Sequence, residues 1–348
     1  MKALQGMDVL VTGHTGFKGF WLGRLLHALG AKVHGISLPP DEGSLYAKNG
    51  GDFFETSTYA DLRYFPIIEK QIQTVNPHIT FHLAAQSLVL RSYVSPLETF
   101  EANVLGTCNV LESCLNNTDS IGVIVTTTDK VYLNLDRRAQ FTEESPLGGS
   151  KDPYSLSKVA AEMAVAAWQV RAEEMSKCKV VAARAGNVIG GGDRAENRLL
   201  PDIIKSFLKD EVAEIRNPES VRPWQHVLDA VFGYVKVASC LVEGKPVSKS
   251  YNFGPSSESQ LTVGEVANIV TQIWPGKQSW CHKPRAHAPH ENAHLWLSSQ
   301  KAMSELSWAN KLNAEEAIAW TVEWELADMQ NLGLNTMDSQ ISNYLGQP

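Results

Sequence analysis

The run VTTTDKVY sets Asp129 and Lys130 side by side, directly after Thr128. The β-branched, apolar residues before them read as a buried strand. The pair is therefore expected at a strand's carboxyl end, a common place for groups that move protons. Lysine is ordinarily protonated at neutral pH and then cannot act as a base. A plain structural ion pair accounts for the same two residues. A second pairing lies in DPYSLSKVAAE, where Tyr154 and Lys158 stand at i and i+4. Asp152 is a plausible N-cap and Pro153 suits a first helical position, so both side chains fall on one face of a helix. There a lysine cation one turn from a phenol lowers the phenol's pKa, and a tyrosinate can take a proton from an alcohol. Chance and surface helices produce many such pairs, so the weight of this one depends on its surroundings.

Those surroundings include a glycine loop. VTGHTGFKG places Gly13, Gly16 and Gly19 three residues apart, straight after a strand-like run and at the mouth of a helix. Glycines there let the backbone approach a pyrophosphate, whose charge faces the helix N-terminus. Thr15 and Phe17 lie in the same loop. The triplet alone also suits a simple tight turn. About 20 residues on, a dinucleotide site calls for an acidic residue to hold the adenosine ribose. HGISLPP offers Ser37 instead, with Asp41 and Glu42 only beyond two prolines and no arginine. The missing base disfavours a 2′-phosphate, so NAD is expected rather than NADP.

The elements that must carry these groups alternate. Strands are read over 7–13, 31–37, 78–85, 122–132, 178–188 and 250–255, with helices over 17–30, 62–75, 96–116 and 153–176, the pattern of a parallel sheet wrapped by helices. After Gly190 the rhythm breaks. RNPESVRPWQHV and WCHKPRAHAPHENAHLW are rich in Pro, Trp, His and Arg, as loops lining a site are. With 348 residues, 43% of them hydrophobic, the chain can bury one large core or a core plus a smaller lobe. A net charge of −7 and a pI near 5.8 leave no basic excess for a phosphate backbone, so nucleic acid is not an expected partner. Arg137 and Arg138 read as solvated surface. Five scattered cysteines without a CxxC pair argue against a disulfide framework or a zinc site, and a reducing cytoplasm is expected. The amino-terminal stretch lacks the apolar run of a signal peptide, and no segment is apolar enough to span a bilayer, so no membrane contact is expected. Among His282, His287, His290 and His294, Pro284 and Pro289 break the helical spacing that metal ligation needs. No metal is expected there, and His290 with Glu291 reads as a substrate-facing loop.

TGHTGFKG, FHLAAQSLV, NVLGTCNVLE, TTTDKVY, LGGSKDPYSLSK, RAGNVIGGGD, RPWQHVLDAVFGY and NFGP together resemble the extended short-chain dehydrogenase/reductases over nearly the whole length. The TDK triplet with RAGNVIGGGD and RPWQHV points to the CDP-sugar dehydratase branch. The resemblance implies an α/β fold: a Rossmann doubly wound parallel sheet with a smaller, mixed α/β C-terminal substrate lobe. Residues 1–186, with 228–255 returning, would bind NAD, and 187–227 with 256–348 would bind the nucleotide sugar. It implies that Tyr154, aided by Lys158 and Thr128, takes the proton of a sugar 4-hydroxyl. Asp129 would then protonate the leaving 6-hydroxyl and Lys130 would act as base at carbon 5. Exclusion of water and the second cation in Lys158 favour a neutral Lys130, while an ionised Asp129 opposes it.

The resemblance also implies coenzyme contacts. Leu83, Ala84, Ala85 and Gln86 would run along NAD, His82 is as readily a core residue, and Asp61 with Leu62 would meet adenine. Asn103 would stand beside the coenzyme as a buttress of the Tyr154 helix. Thr126 and Thr127 read as strand filler, with Thr126 also carried on the coenzyme side. A CDP-sugar, CDP-glucose in the first place, brings a diphosphate. Arg198, Arg216 and Arg222 would bind it with Asn187, alongside Leu199, Gln225 and His290. Trp224 is more readily core than ligand contact. Packing of the 96–116 and 153–176 helices against a second copy implies a homodimer or homotetramer, with Val159, Met163 and Val165 available to it. A nucleotide-sugar 4-epimerase would need Tyr154 and Lys158 without the pair at 129 and 130, and a dinucleotide-sensing module would need neither.

Overall fold

A computed structural model describes residues 2–134, 140–256, 259–284 and 295–347. Arg137, Arg138, His287, His290, Glu291 and His294 lie outside the described residues. Seven parallel strands form the central sheet: β1 (Asp8–Thr12), β2 (Lys32–Ser37), β3 (Thr56–Tyr59), β4 (Ile79–His82), β5 (Gly122–Thr128), β6 (Lys179–Ala185) and β7 (Ser250–Phe253), ordered 7-6-5-4-1-2-3. Strands buried on both faces read as continuous apolar runs rather than alternating ones, which is why DVLV, ITF and GVIV were legible. Val9, Leu10, Val11, Ile79, Phe81, Val123 and Ile124 are all fully buried. Each such side chain contributes roughly 1.5–3 kcal/mol relative to exposure. The edge strand β3 escaped the sequence reading because TSTY is polar and half exposed, as an edge permits.

The order reverses between β1 and β4. Both strands point their carboxyl ends into the resulting crevice, the place where an open α/β sheet receives ligands. Helices cover both faces. Phe17–Ala28 and Val227–Val242 pack on one face, and Phe65–Val75, Gly106–Asn116 and Pro153–Glu174 on the other. The expected 96–116 helix is Pro96–Phe100, a π-helical turn at Glu101–Leu105, then Gly106–Asn116. The strand expected over 122–132 stops at Thr128, and Asp129–Val131 turn as a short 3-10 helix whose first amides Thr128 caps. A third apolar cluster joins Leu200, Ile203, Trp224, Val266, Ala317 and Ile318 beyond the sheet's carboxyl edge. Met337, Ile341 and Tyr344 of the last helix, Gly333–Leu345, belong instead to the core cluster under the sheet: that helix packs against Phe17–Ala28 and Ala314–Asp328, and Tyr344 meets Phe232 of the Val227–Val242 helix edge-on.

That last helix is tied by a buried carboxylate. Asp229 Oδ1 accepts from Tyr344 Oη at 2.7 Å and from the Lys311 amide at 2.8 Å. Burial pushes its carboxyl up to about 6. A raised folded-state pKa binds the proton more tightly than the unfolded chain does, so stability falls as pH rises through the range from about 4 to 6. The shift corresponds to about 3 kcal/mol at neutral pH. Asp229→Asn keeps the accepting oxygen and removes the charge. Denaturant unfolding should give Asp229→Asn stability at pH 7.5 no lower than wild type, with a flatter profile between pH 4 and 6; an unchanged profile would show that Asp229 does not carry the titration.

Candidate active site

The glycine loop follows β1 and the LAAQ segment follows β4, so they face each other across the crevice. Gly13 has φ +77°, and a Cβ there would lie 2.8 Å from Ala84 Cα, while one at Gly19 would lie 2.1 Å from the Gly13 carbonyl oxygen. Only glycine closes this turn against its neighbour strand. Thr12 Oγ1 and His82 Nδ1 lie 2.7 Å apart, and the Ala84 amide donates to Thr12 Oγ1 at 3.3 Å. His82 is a core residue: its other nitrogen meets Thr107, and burial pushes it down to about 3. Phe17 lies against the backbone of Gly190 at the far side of the loop.

At the carboxyl end of β2, Thr15 and Ser37 hydroxyls pair at 2.7 Å and Thr15 also donates to the Leu38 carbonyl. A hydroxyl pair thus stands where an acid is usual. Asp61 is gripped by Arg63, which holds its carboxyl below the usual range and bridges at 3.0 Å to Glu101. Leu62 does not offer its side chain to a ligand, because it is buried under the sheet and its carbonyl accepts from Asn109. Gln86 likewise turns inward: its amide group bonds the Leu88 carbonyl and Thr99, and its oxygen receives the Leu88 amide. Asn103 is a buttress, taking the Gln86 amide at 2.8 Å and donating to Gln86 O and to Ser157 Oγ. These residues fit NAD: a glycine cradle, small residues at 84 and 85 opposite it, and an uncharged ribose end whose arginine, Arg63, is already engaged.

Tyr154 and Lys158 do share a helix face, and Asp152 caps that helix through the Ser155 amide at 2.8 Å. The Tyr154 amide bonds Ser92 Oγ, fixing the helix start. Burial pushes the phenol up to about 12, with the Thr128 hydroxyl beside it and Arg198 pulling back and Asp129 adding to the rise. Lys158 is pushed down to about 8 by burial, and its ammonium approaches the Thr126 carbonyl at 3.5 Å. The expectation that Lys158 lowers the phenol's pKa is therefore corrected: desolvation of the phenol dominates. Thr128 Oγ1 donates to Asp129 Oδ1 at 2.9 Å, and Lys130 Nζ stands 3.6 Å from that same oxygen. Asp129 is 5% exposed and Lys130 27%. Thr126 Oγ1 is spent on the His82 carbonyl, as strand filler would be.

Sequence reasoning missed the network behind this constellation. Thr127 Oγ1 donates to Glu162 Oε1, one turn beyond Lys158, and Glu162 forms a bidentate pair with Arg184 of β6 at 2.8 Å. Arg184 continues to Tyr132, which donates to Asn252 of β7. The signal was available as E-x-x-x-K read backwards from Glu162, but only the sheet order shows that Arg184 is its neighbour.

The substrate candidates divide. Arg198 occupies the position before the Leu199–Leu208 helix, without a capping bond from its side chain, and pairs with buried Asp193 at 2.9 Å. Its charge acts on the Tyr154 phenol. Leu199 is half-buried against the third cluster, and Asn187 is exposed. Arg216 and Arg222 are half-buried on neighbouring segments, the Arg216 carbonyl taking His282 Nε2. Gln225 is corrected: it is fully buried and bonded to Asn310 at 3.2 Å. Trp224 is core, donating to the Leu261 carbonyl, and His226 caps the Val227–Val242 helix between Trp21 and Trp320. A sequence full of aromatic and polar side chains gives no sign of which face inward.

The sheet order and the tyrosine-lysine helix facing a glycine loop define the extended short-chain dehydrogenase/reductase class. Residues 9–254 match the model of the NAD dependent epimerase/dehydratase family, and the chain belongs to that family. It is 39% identical over 330 residues to a CDP-glucose 4,6-dehydratase of Salmonella typhimurium, covering 93% of this chain and 91% of that one. Among solved structures it is similar to the UDP-glucose 4-epimerase of Thermotoga maritima, at TM-score 0.80 and 22% identity, covering 93% and 100% of the two chains. It is also similar to the dTDP-glucose 4,6-dehydratase of Bacillus anthracis in complex with NAD, at TM-score 0.76 and 20% identity, covering 93% and 98%.

The Glu162–Arg184 pair is nearly solvent-free, with side-chain exposures of 3% and 6%. Glu162→Ala would leave the guanidinium buried and uncompensated, a loss of about 3–5 kcal/mol. Denaturant unfolding should show a lower midpoint of that order; a shift under about 1 kcal/mol would mean that the cavity admits water to Arg184.

Proposed function

We propose that this protein dehydrates CDP-glucose to CDP-4-keto-6-deoxyglucose, an early step of deoxysugar synthesis. The observation that carries the reading is the contact of Thr128, Asp129 and Lys130 at the end of one central strand, beside the Tyr154 phenol. An epimerase has no use for an acid and a base held together there. The curated relative reported above is by its name a CDP-glucose 4,6-dehydratase, which supports the choice of nucleotide.

NAD, held by the glycine loop at Gly13, Gly16 and Gly19 opposite Ala84 and Ala85, would supply the hydride acceptor for carbon 4 and the hydride donor for carbon 6. Tyr154 would accept the 4-hydroxyl proton as a tyrosinate, a form that burial opposes and that the positive charge of a bound nicotinamide would favour, with Thr128 beside it. The resulting ketone acidifies carbon 5. Lys130 Nζ stands 3.6 Å from Asp129 Oδ1. Transfer of one proton from Nζ to Oδ1 would convert an ion pair into a neutral acid and a neutral amine, the two species that the elimination needs. Exclusion of water by the sugar favours the neutral pair over the charged one. Lys130 then removes the carbon 5 proton while Asp129 protonates the departing 6-hydroxyl. Arg198 is poised for the diphosphate once its pairing with Asp193 is shared.

One apolar face suits a second copy of the chain. Leu156, Met163 and Val170 are exposed at seven-residue spacing along the Tyr154 helix, near exposed Leu97, Phe100 and Leu105 of the adjacent one. Val159 and Val165, by contrast, are buried within the protomer. We assign a homodimer to this face. A cytoplasmic setting accords with free thiols at Cys108, Cys114, Cys178, Cys240 and Cys281.

Incubation with CDP-glucose and NAD should yield the 4-keto-6-deoxy product, whereas CDP-galactose would instead establish the epimerase. Lys130→Ala should slow dehydration about 10²- to 10⁴-fold yet still wash deuterium from carbon 4 into the coenzyme; loss of both would remove Lys130 from the elimination step. Met163→Glu should give a monomer by light scattering, and a persisting dimer would place the interface elsewhere.

A further inference from the structure

Lys18 interrupts the glycine loop with a long cation, between Phe17 and Gly19. It lies in the first turn of the Phe17–Ala28 helix and is half-buried. Its ammonium stands 6.0 Å from the centre of the Tyr234 ring, and that tyrosine is fully buried with no partner for its hydroxyl. Among the described residues nothing hydrogen-bonds or ion-pairs with Lys18. The charges acting on it come from three segments: Lys158 of the Tyr154 helix and Arg198 repel it, while Asp129 at the end of β5 and Asp193, in the same loop as Arg198, attract it. Both acids are committed elsewhere, Asp129 to Thr128 and Asp193 to Arg198. Burial pushes the ammonium down to about 8, so it remains mostly charged at neutral pH.

A desolvated, unpaired cation is costly unless an anion joins it. The amides of the adjacent loop and the positive end of its helix favour the same kind of guest. We propose that Lys18 is a diphosphate-binding residue of the catalytic pocket, its ammonium meeting a phosphoryl oxygen of a ligand lying between the glycine loop and Arg198. Two diphosphates reach this junction on the dehydratase reading, on which the proposal rests: that of the coenzyme and that of the nucleotide sugar.

NADH and CDP each carry a diphosphate and bind without turnover, so they serve as separate probes. Lys18→Met should weaken NADH or CDP, measured by fluorescence and calorimetric titration, by about tenfold or more, as loss of a charge-assisted contact does. The probe that weakens identifies the diphosphate. Lys18→Arg should recover most of the affinity, and the weakened binding should depend less steeply on KCl than in wild type. Lys18→Gln provides a second neutral variant should Lys18→Met fail to fold. Affinities for both probes within twofold of wild type would overturn the proposal, as would equal losses in Lys18→Arg and Lys18→Met. Failure of the dehydratase reading would show differently, as wild type that does not turn over CDP-glucose.

Discussion

The site depends on how one helix is held against one strand. Pro153–Glu174 carries Tyr154 and Lys158, and β5 carries Thr128 and leads into Asp129 and Lys130. Their mutual position is fixed behind the chemistry, where Glu162 meets Thr127 from β5 and Arg184 from β6. A buried ion pair gives weak net stability compared with an apolar packing of equal volume, but it tolerates little displacement. The two hydrogen bonds of the guanidinium fork fix orientation as well as distance. A slip of helix against sheet would break them and would move the phenol away from Thr128 at the same time.

Around that fixed unit the polar groups have been brought to low water content for different ends. His82 and Trp224 are desolvated and hydrogen-bonded, and His226 is buried with its Nδ1 spent on a helix cap, so they are scaffold. Tyr154 and Lys158 are desolvated with few partners of their own, and both are pushed toward their neutral forms. Asp129 and Lys130 differ again, with a buried acid touching a base that still reaches solvent. On the proposed reading such a pair suits a reaction that needs an acid and a base in a single step.

Much of this arrangement was legible. Parallel strands are buried on both faces, so their apolar runs stood out, and the glycine loop, the cap at Asp152 and the tyrosine-lysine spacing are local signals needing no knowledge of the fold. Edge strand β3 was not legible, since its polar residues answer to solvent rather than to a core. Nor was the fate of Gln225, Leu62 and Gln86. Each sits in a segment of the right kind, yet its side chain turns inward to Asn310, the sheet's underside and Thr99 respectively.

By itself, the sequence determined the alternation of strands and helices, the glycine turn and the shared helix face of Tyr154 and Lys158, because these follow from periodicities of a few residues. Only the tertiary structure decided which polar groups are spent on one another. Glu162 and Arg184, Asp193 and Arg198, and Thr15 and Ser37 are joined by strand order and loop return. Whether a side chain is free for a ligand depends on what the rest of the chain has already placed beside it, and that is a matter of distance in space rather than along the sequence.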